Sequence, residues 1–157
     1  MNNGYSLLEL VVVISIVGIM LGVGAMSFSG VNSQRKVEKD IATFVDVLNT
    51  ARQKTIDRDL GSTPDCATFE GYRVRVVASS SQVELYRMCG AVVVPVIATY
   101  SFSSAEILPA TTFDIDFEPP YGTLKGAEQI VTIKNDRAGK CMDIRITTAG
   151  IISEESC

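Results

Sequence analysis

Residues 4–26 read Gly-Tyr-Ser-Leu-Leu-Glu-Leu-Val-Val-Val-Ile-Ser-Ile-Val-Gly-Ile-Met-Leu-Gly-Val-Gly-Ala-Met, and this stretch decides the fold. From Leu7 to Met26 it is almost unbroken apolar sequence. An α-helix of that length rises about 30 Å, the thickness of a bilayer's hydrocarbon core. Residues 5–26 are therefore predicted to form a membrane-length helix. A cleaved secretory signal is the alternative, but the run is long for one, and Met1-Asn2-Asn3-Gly4 carries no Lys or Arg. Within the run the one charged side chain is Glu9. A carboxylate sunk in lipid is costly and marks function by default. All 14 Lys and Arg lie at or after Arg35, so none is a local partner. If the chain were cut after Gly4, the new α-amino group of Tyr5 would stand one helical turn from Glu9. Amine and carboxylate of neighbouring copies could then neutralise each other in an apolar core. Snorkelling of Glu9 to the interface is the competing account. Gly18 and Gly22 form a GxxxG spacing, with Gly24 following; such glycines permit close helix packing or local melting.

Moving outward, Ser27 to Ser33 are mostly small and polar, with no Pro. Val37, Ile41, Phe44, Leu48 and Ala51 then recur at steps of four and three, with Val45 and Ile56 widening the stripe. Arg35, Lys36, Glu38, Lys39, Asp46 and Lys54 take other faces. Residues 27–60 are thus predicted as an amphipathic helix ending near Gly61. After it the period changes to two. Tyr72, Val74 and Val76 alternate with Arg73 and Arg75, and Phe113, Ile115 and Phe117 with Asp114, Asp116 and Glu118. Ser79-Ser80-Ser81, Pro119 to Gly122 and Asn135 to Gly139 mark turns. Val92 to Phe102 is β-rich, with Pro95 suggesting an edge or bulge. About seven strands are expected over residues 61–157. The class is α+β: a long N-terminal helix, membrane-spanning then amphipathic, packed on an antiparallel β-sheet or small β-sandwich.

The 157 residues carry a net charge of −4, which argues against a nucleic-acid partner. There is no histidine, so the usual general base and commonest metal ligand are missing. The four cysteines show no CxxC spacing. Three disulfide connectivities are possible; Cys66–Cys89 and Cys141–Cys157 are favoured because each closes a short loop. Asp114, Asp116 and Glu118 on one strand face are either calcium-ligating oxygens or a solvated row, and the solvated row is the expected outcome. Asn135 to Gly139 lacks EF-hand spacing. No phosphate-binding Gly loop, GxSxG or Cys–His pairing occurs. No catalytic activity, cofactor or metal is expected.

Gly4-Tyr5-Ser6-Leu7-Leu8-Glu9-Leu10 resembles the class III signal of type IV pilins and type II secretion pseudopilins. The resemblance implies that a prepilin peptidase cuts between Gly4 and Tyr5 and methylates the Tyr5 amine, and that Glu9 guides each subunit into a filament. Residues 1–4 are then a leader. It further implies a single-pass inner-membrane protein that meets an assembly platform and joins self and other pilins in an extracellular or periplasmic filament. Two departures stand out: no Lys or Arg precedes Gly4, and Met26 occupies the place where many pilins carry Pro. Arg35, Lys36 and Lys39 also follow the span, against the positive-inside bias. A looser likeness joins residues 48–58, centred on Ala51-Arg52, and the segments Phe117 to Gly122 and Ile146 to Ile151 with H-type minor pseudopilins and FimT-like pilus proteins. FimT-like DNA binders would carry a basic tail; residues 151–157 are acidic, so nucleic acid is not expected. The terminal cysteine pair resembles the disulfide-bounded loop of major pilins. Pilus subunit, type II secretion pseudopilin and monomeric anchored binding module are the three readings, with major versus minor subunit open.

Overall fold

The computed structural model describes residues 6–60, 66, 68–77, 80–90, 92–93, 96–102, 106–136 and 139–157, and the side chains of all of these except 23–31, 33, 92–93 and 108. One helix, α1 (Leu7–Ile56), runs unbroken through 50 residues, a length of about 75 Å. No proline interrupts it. Its end lies five residues before Gly61, where the sequence placed the stop. Arg58 adopts φ +50°, its N–H bonds the Thr55 carbonyl, and the Asp59 N–H bonds the Lys54 carbonyl at 3.0 Å. That pair of bonds is a Schellman closure, made here without glycine. Lys54 pairs with Asp59, the Tyr72 hydroxyl donates to the Asp59 carbonyl at 2.5 Å, and Arg87 donates to the Leu60 carbonyl. Tertiary contacts therefore hold a turn that local sequence does not specify.

Ten strands follow among the described residues: β1 (Phe69–Val77), β2 (Gln82–Cys89), β3 (Val92–Val93), β4 (Ala98–Ser101), β5 (Glu106–Leu108), β6 (Phe113–Glu118), β7 (Thr123–Leu124), β8 (Gln129–Asn135), β9 (Lys140–Ile146) and β10 (Ile152–Ser156). Seven had been expected. The surplus is short: β5 and β7 lack a readable alternation, and the Val92 to Phe102 run divides into β3 and β4, both paired to β2. Pro95 lies outside the described residues. One sheet orders β3-β2-β1-β6-β7, the other β10-β9-β8-β5, and every pairing is antiparallel.

The alternation read in the sequence selects the buried faces. Tyr72, Val74, Val76, Val83, Leu85, Ile115 and Phe117 from one sheet, with Val131, Ile133, Ile144 and Ile146 from the other, close on the helical stripe Val37, Ile41, Phe44, Leu48 and Ala51. Phe44 meets Phe102 edge-on at 6.2 Å. The helix is tied to β1 by a buried polar step: Tyr72 N–H donates to Thr55 Oγ1, which itself donates to the Ala51 carbonyl. Both groups are thereby satisfied inside the core.

On the outer face of the first sheet the acidic row is not simply solvated, because its carboxylates are paired with cations. Arg73 stands opposite Asp116, and Arg75 opposite Asp114. Each makes a two-pronged ion pair, at 2.7 and 2.7 Å for Arg73–Asp116 and 2.7 and 3.0 Å for Arg75–Asp114. The Arg75 guanidinium also lies 5.2 Å over the Tyr86 ring. The Arg75 hydrogen bond, then the charge of Arg73, hold the Asp114 carboxyl below its ordinary value despite partial burial. A carboxylate with a depressed folded pKa stabilises the fold above its unfolded pKa of about 3.9, and that contribution disappears as pH falls through the folded value. Asp114→Asn is expected to cost about 1–2 kcal/mol at pH 7 and to flatten the loss of stability between about pH 5 and 3. Urea unfolding followed across that range checks it; parallel curves for variant and wild type would remove the pair from the account.

Candidate functional site

Ser6 opens α1 in an extended conformation (φ −76°, ψ 149°), and its Oγ accepts from the Glu9 N–H at 3.3 Å. The Ser6 carbonyl accepts from Glu9 and Leu10 N–H at 3.0 and 3.2 Å. Serine is a preferred N-cap, and Glu9 falls at the third helical position, where a carboxylate meets the positive end of the helix dipole. The serine in the motif thus sets where the helix begins, and this sets Glu9 in its first turn. Gly4 and Tyr5 lie outside the described residues.

Every residue from Ser6 to Gly22 is exposed. Leu7 and Leu8 are 82% and 77% accessible, and Ile19, Met20 and Leu21 lie between 68% and 72%. Val11, Val12, Val13, Ile14, Ile16 and Val17 are exposed on every side of the rod. Ser15 adds no free polar group outward, because its hydroxyl donates to the Val11 carbonyl at 2.7 Å. Nothing lies within 4 Å of a Cβ built at Gly18 or Gly22, so another helix can approach closely there. Burying a dozen such side chains is worth roughly 20 kcal/mol, more than the net stability of a typical domain. A surface of this kind demands lipid or protein. Among the described residues no helix is long and apolar enough to cross a membrane; the side chains of 23–26, within the expected 5–26 span, lie outside those described.

The structure joins Cys66 to Cys89 and Cys141 to Cys157, with Cα–Cα separations of 5.1 and 5.5 Å. The first ties the segment before β1 to the end of β2; the second ties the C-terminus to β9. Cys141, Asp143 and Cys157 are the one metal-like grouping among the described residues. Both sulfurs there are consumed in the disulfide, so no thiolate is available to a cation.

Three segments far apart in sequence meet at the C-terminal end of α1. Ala51 is fully buried, and Arg52 beside it lies under the turns at Gly122 and Gly150. A Cβ at Gly122 would stand 2.7 Å from Arg52 Cγ; one at Gly150 would stand 2.0 Å from the Gly122 carbonyl oxygen and 3.0 Å from Arg52 Nε. Ala51-Arg52, Phe117 to Gly122 and the Gly150 turn were separate likenesses in sequence, and the fold makes them one contact. The Arg73–Asp116 and Arg75–Asp114 pairs went unread because the partners are 43 and 39 residues apart; the matched charge alternation of the two strands is the signal that would have found them.

Residues 1–25 match the family model described as the prokaryotic N-terminal methylation motif. The comparison with curated proteins finds no match. Among solved structures, the chain is similar to the type IV minor pilin FimU of Pseudomonas aeruginosa, with a TM-score of 0.52 and 15% identity over 78% of this chain and 91% of that one. At that identity the likeness carries the fold.

Proposed function

We propose that this chain, whose N-terminal motif and fold support a type IV pilin or pseudopilin reading, is a filament subunit held in the inner membrane by the N-terminal half of α1 and drawn from it during assembly. It is a structural subunit and not an enzyme. The observation that carries the proposal is the bare apolar rod from Leu7 to Leu21 with a single carboxylate in its first turn. In the bilayer the rod is solvated by lipid. In a filament the same surface packs against the rods of other subunits, with the loss of lipid contacts offset by helix–helix packing. Glu9 supplies the one strong directional term: paired with the methylated Tyr5 amine of a neighbour, it fixes the axial register of each incoming subunit. The partners are other copies or related pilins, with a prepilin peptidase and a membrane platform acting before assembly.

A type II secretion pseudopilin uses the same stem. The convergence of Arg52, Gly122 and Gly150 supports an H-type, minor-subunit reading within either system. Shearing separates the readings: abundant surface fibres made of this chain indicate a major pilin, scarce copies a minor one.

Cleavage tests the proposal first. The mature chain is expected to lack Met1 to Gly4 and to carry one added methyl by intact-mass measurement. Gly4→Val is expected to leave the full-length precursor in the membrane. A mature chain that keeps its first four residues never forms the Tyr5 amine, and the assembly mechanism is then wrong.

A further inference from the structure

Between Glu9 and Arg35 the chain carries no charged side chain, and the whole interval belongs to α1. The helical rise from one to the other is about 39 Å. A bilayer spans about 30 Å across its hydrocarbon and about 40–45 Å with its headgroup layers. A helix that holds Glu9 at one headgroup layer therefore delivers Arg35 to the other.

Arg35, Lys36 and Lys39 are all exposed. At about 100° per residue they share one arc of roughly 100°. That arc faces away from Val37, Ile41 and Phe44, the stripe on which both sheets close. Two local acids border this face. Glu38, three residues from Arg35, is shared: it pairs with Lys140 of β9 and still feels the Arg35 charge. Asp40 is buried on the core side. The next exposed acid on the arc, Asp46, stands about 10 Å further along the axis. The fold thus leaves a concentrated positive face at the height where headgroups end.

We infer that Arg35, Lys36 and Lys39 form a basic collar that docks on anionic phospholipid headgroups at the far side of the bilayer while the subunit is stored there. This rests on the membrane-storage reading above. Each cation near an anionic surface favours binding by roughly five-fold at moderate salt, so the collar resists extraction until assembly begins. It also gives a role to cations whose position runs against the positive-inside bias.

The test uses the full chain in nanodiscs of phosphatidylcholine alone and of phosphatidylcholine with one third phosphatidylglycerol. Acetylation rates of individual lysines are read by mass spectrometry. Lys36 and Lys39 are expected to react several-fold more slowly in the anionic discs at about 0.1 M salt, and equally in both at about 1 M, where the screening length is near 3 Å. Lys125, which lies on the β-rich part and is 57% accessible, serves as the internal reference. Equal rates in both lipids at low salt would overturn the collar and leave membrane storage standing. Failure to enter discs of either composition would overturn both. Protection seen in sheared filaments and absent from both kinds of disc would assign the face to a neighbouring subunit and overturn the lipid partner.

Discussion

Glu9→Gln is expected to leave removal of the leader intact and to reduce incorporation into filaments more than ten-fold. The substitution keeps the size of the side chain and removes its charge. Helix formation is little affected, because the Ser6 cap on the Glu9 N–H does not use the Glu9 carboxyl. Partnership is what changes. In the assembled core, a Tyr5 ammonium that has lost its carboxylate is an uncompensated buried charge, and breaking a buried pair from one side costs about 3–5 kcal/mol. Since about 1.4 kcal/mol is ten-fold in an equilibrium, the loss is large even if half of the pairing energy is recovered by water or relaxation. The measurement is a ratio: sheared filament protein over processed protein in the membrane. Normal filament yield from Glu9→Gln, with normal processing, would sink the pairing role. A precursor that accumulates uncut would instead place Glu9 in recognition by the peptidase.

The second large effect concerns the β-rich part. Gly150 closes the turn between β9 and β10 with φ +74°, its N–H bonding the Thr147 carbonyl at 2.8 Å. An alanine Cβ there would stand 2.0 Å from the Gly122 carbonyl oxygen and 3.0 Å from Arg52 Nε, so backbone must shift to admit it. Left-handed backbone costs an L-residue about 1–2 kcal/mol, and overpacking adds about 1–3 kcal/mol. Gly150→Ala is therefore expected to cost about 2–5 kcal/mol, a large share of a domain's usual 5–15 kcal/mol. Gly126 supplies the control: its φ is +103°, and nothing lies within 4 Å of a Cβ built on it. Gly126→Ala should show the backbone cost alone. Equal thermal shifts for the two variants would mean that the Gly122–Gly150–Arg52 contact does not carry the stability assigned to it.

The helix was legible because its signals are local. The apolar run is continuous and the stripe from Val37 to Ala51 is periodic in sequence, and no proline breaks either. Strand faces were legible from the alternation through Tyr72–Val76 in β1, Val83–Leu85 in β2 and Phe113–Phe117 in β6. β5 and β7, of three and two residues, are too short to show a period and exist because β8 and β6 offer them edges. The acidic residues Asp114 and Asp116 were read as a face, and their arginine partners on β1 were not assigned to them. Pairing across strands depends on register, which is set by the whole sheet.

By itself the sequence determined that an apolar N-terminal helix bears one isolated acid, that this helix turns amphipathic, and that a β-rich part follows. Hydrophobic period and charge position are properties of neighbouring residues, so no folding is needed to see them. Only the tertiary structure decided where α1 stops, that Arg52 is the floor beneath Gly122 and Gly150, and that Lys140 pairs with Glu38. Each of these joins residues brought together by chain reversal, and the energy that selects them is the packing of surfaces that do not yet exist in the linear chain.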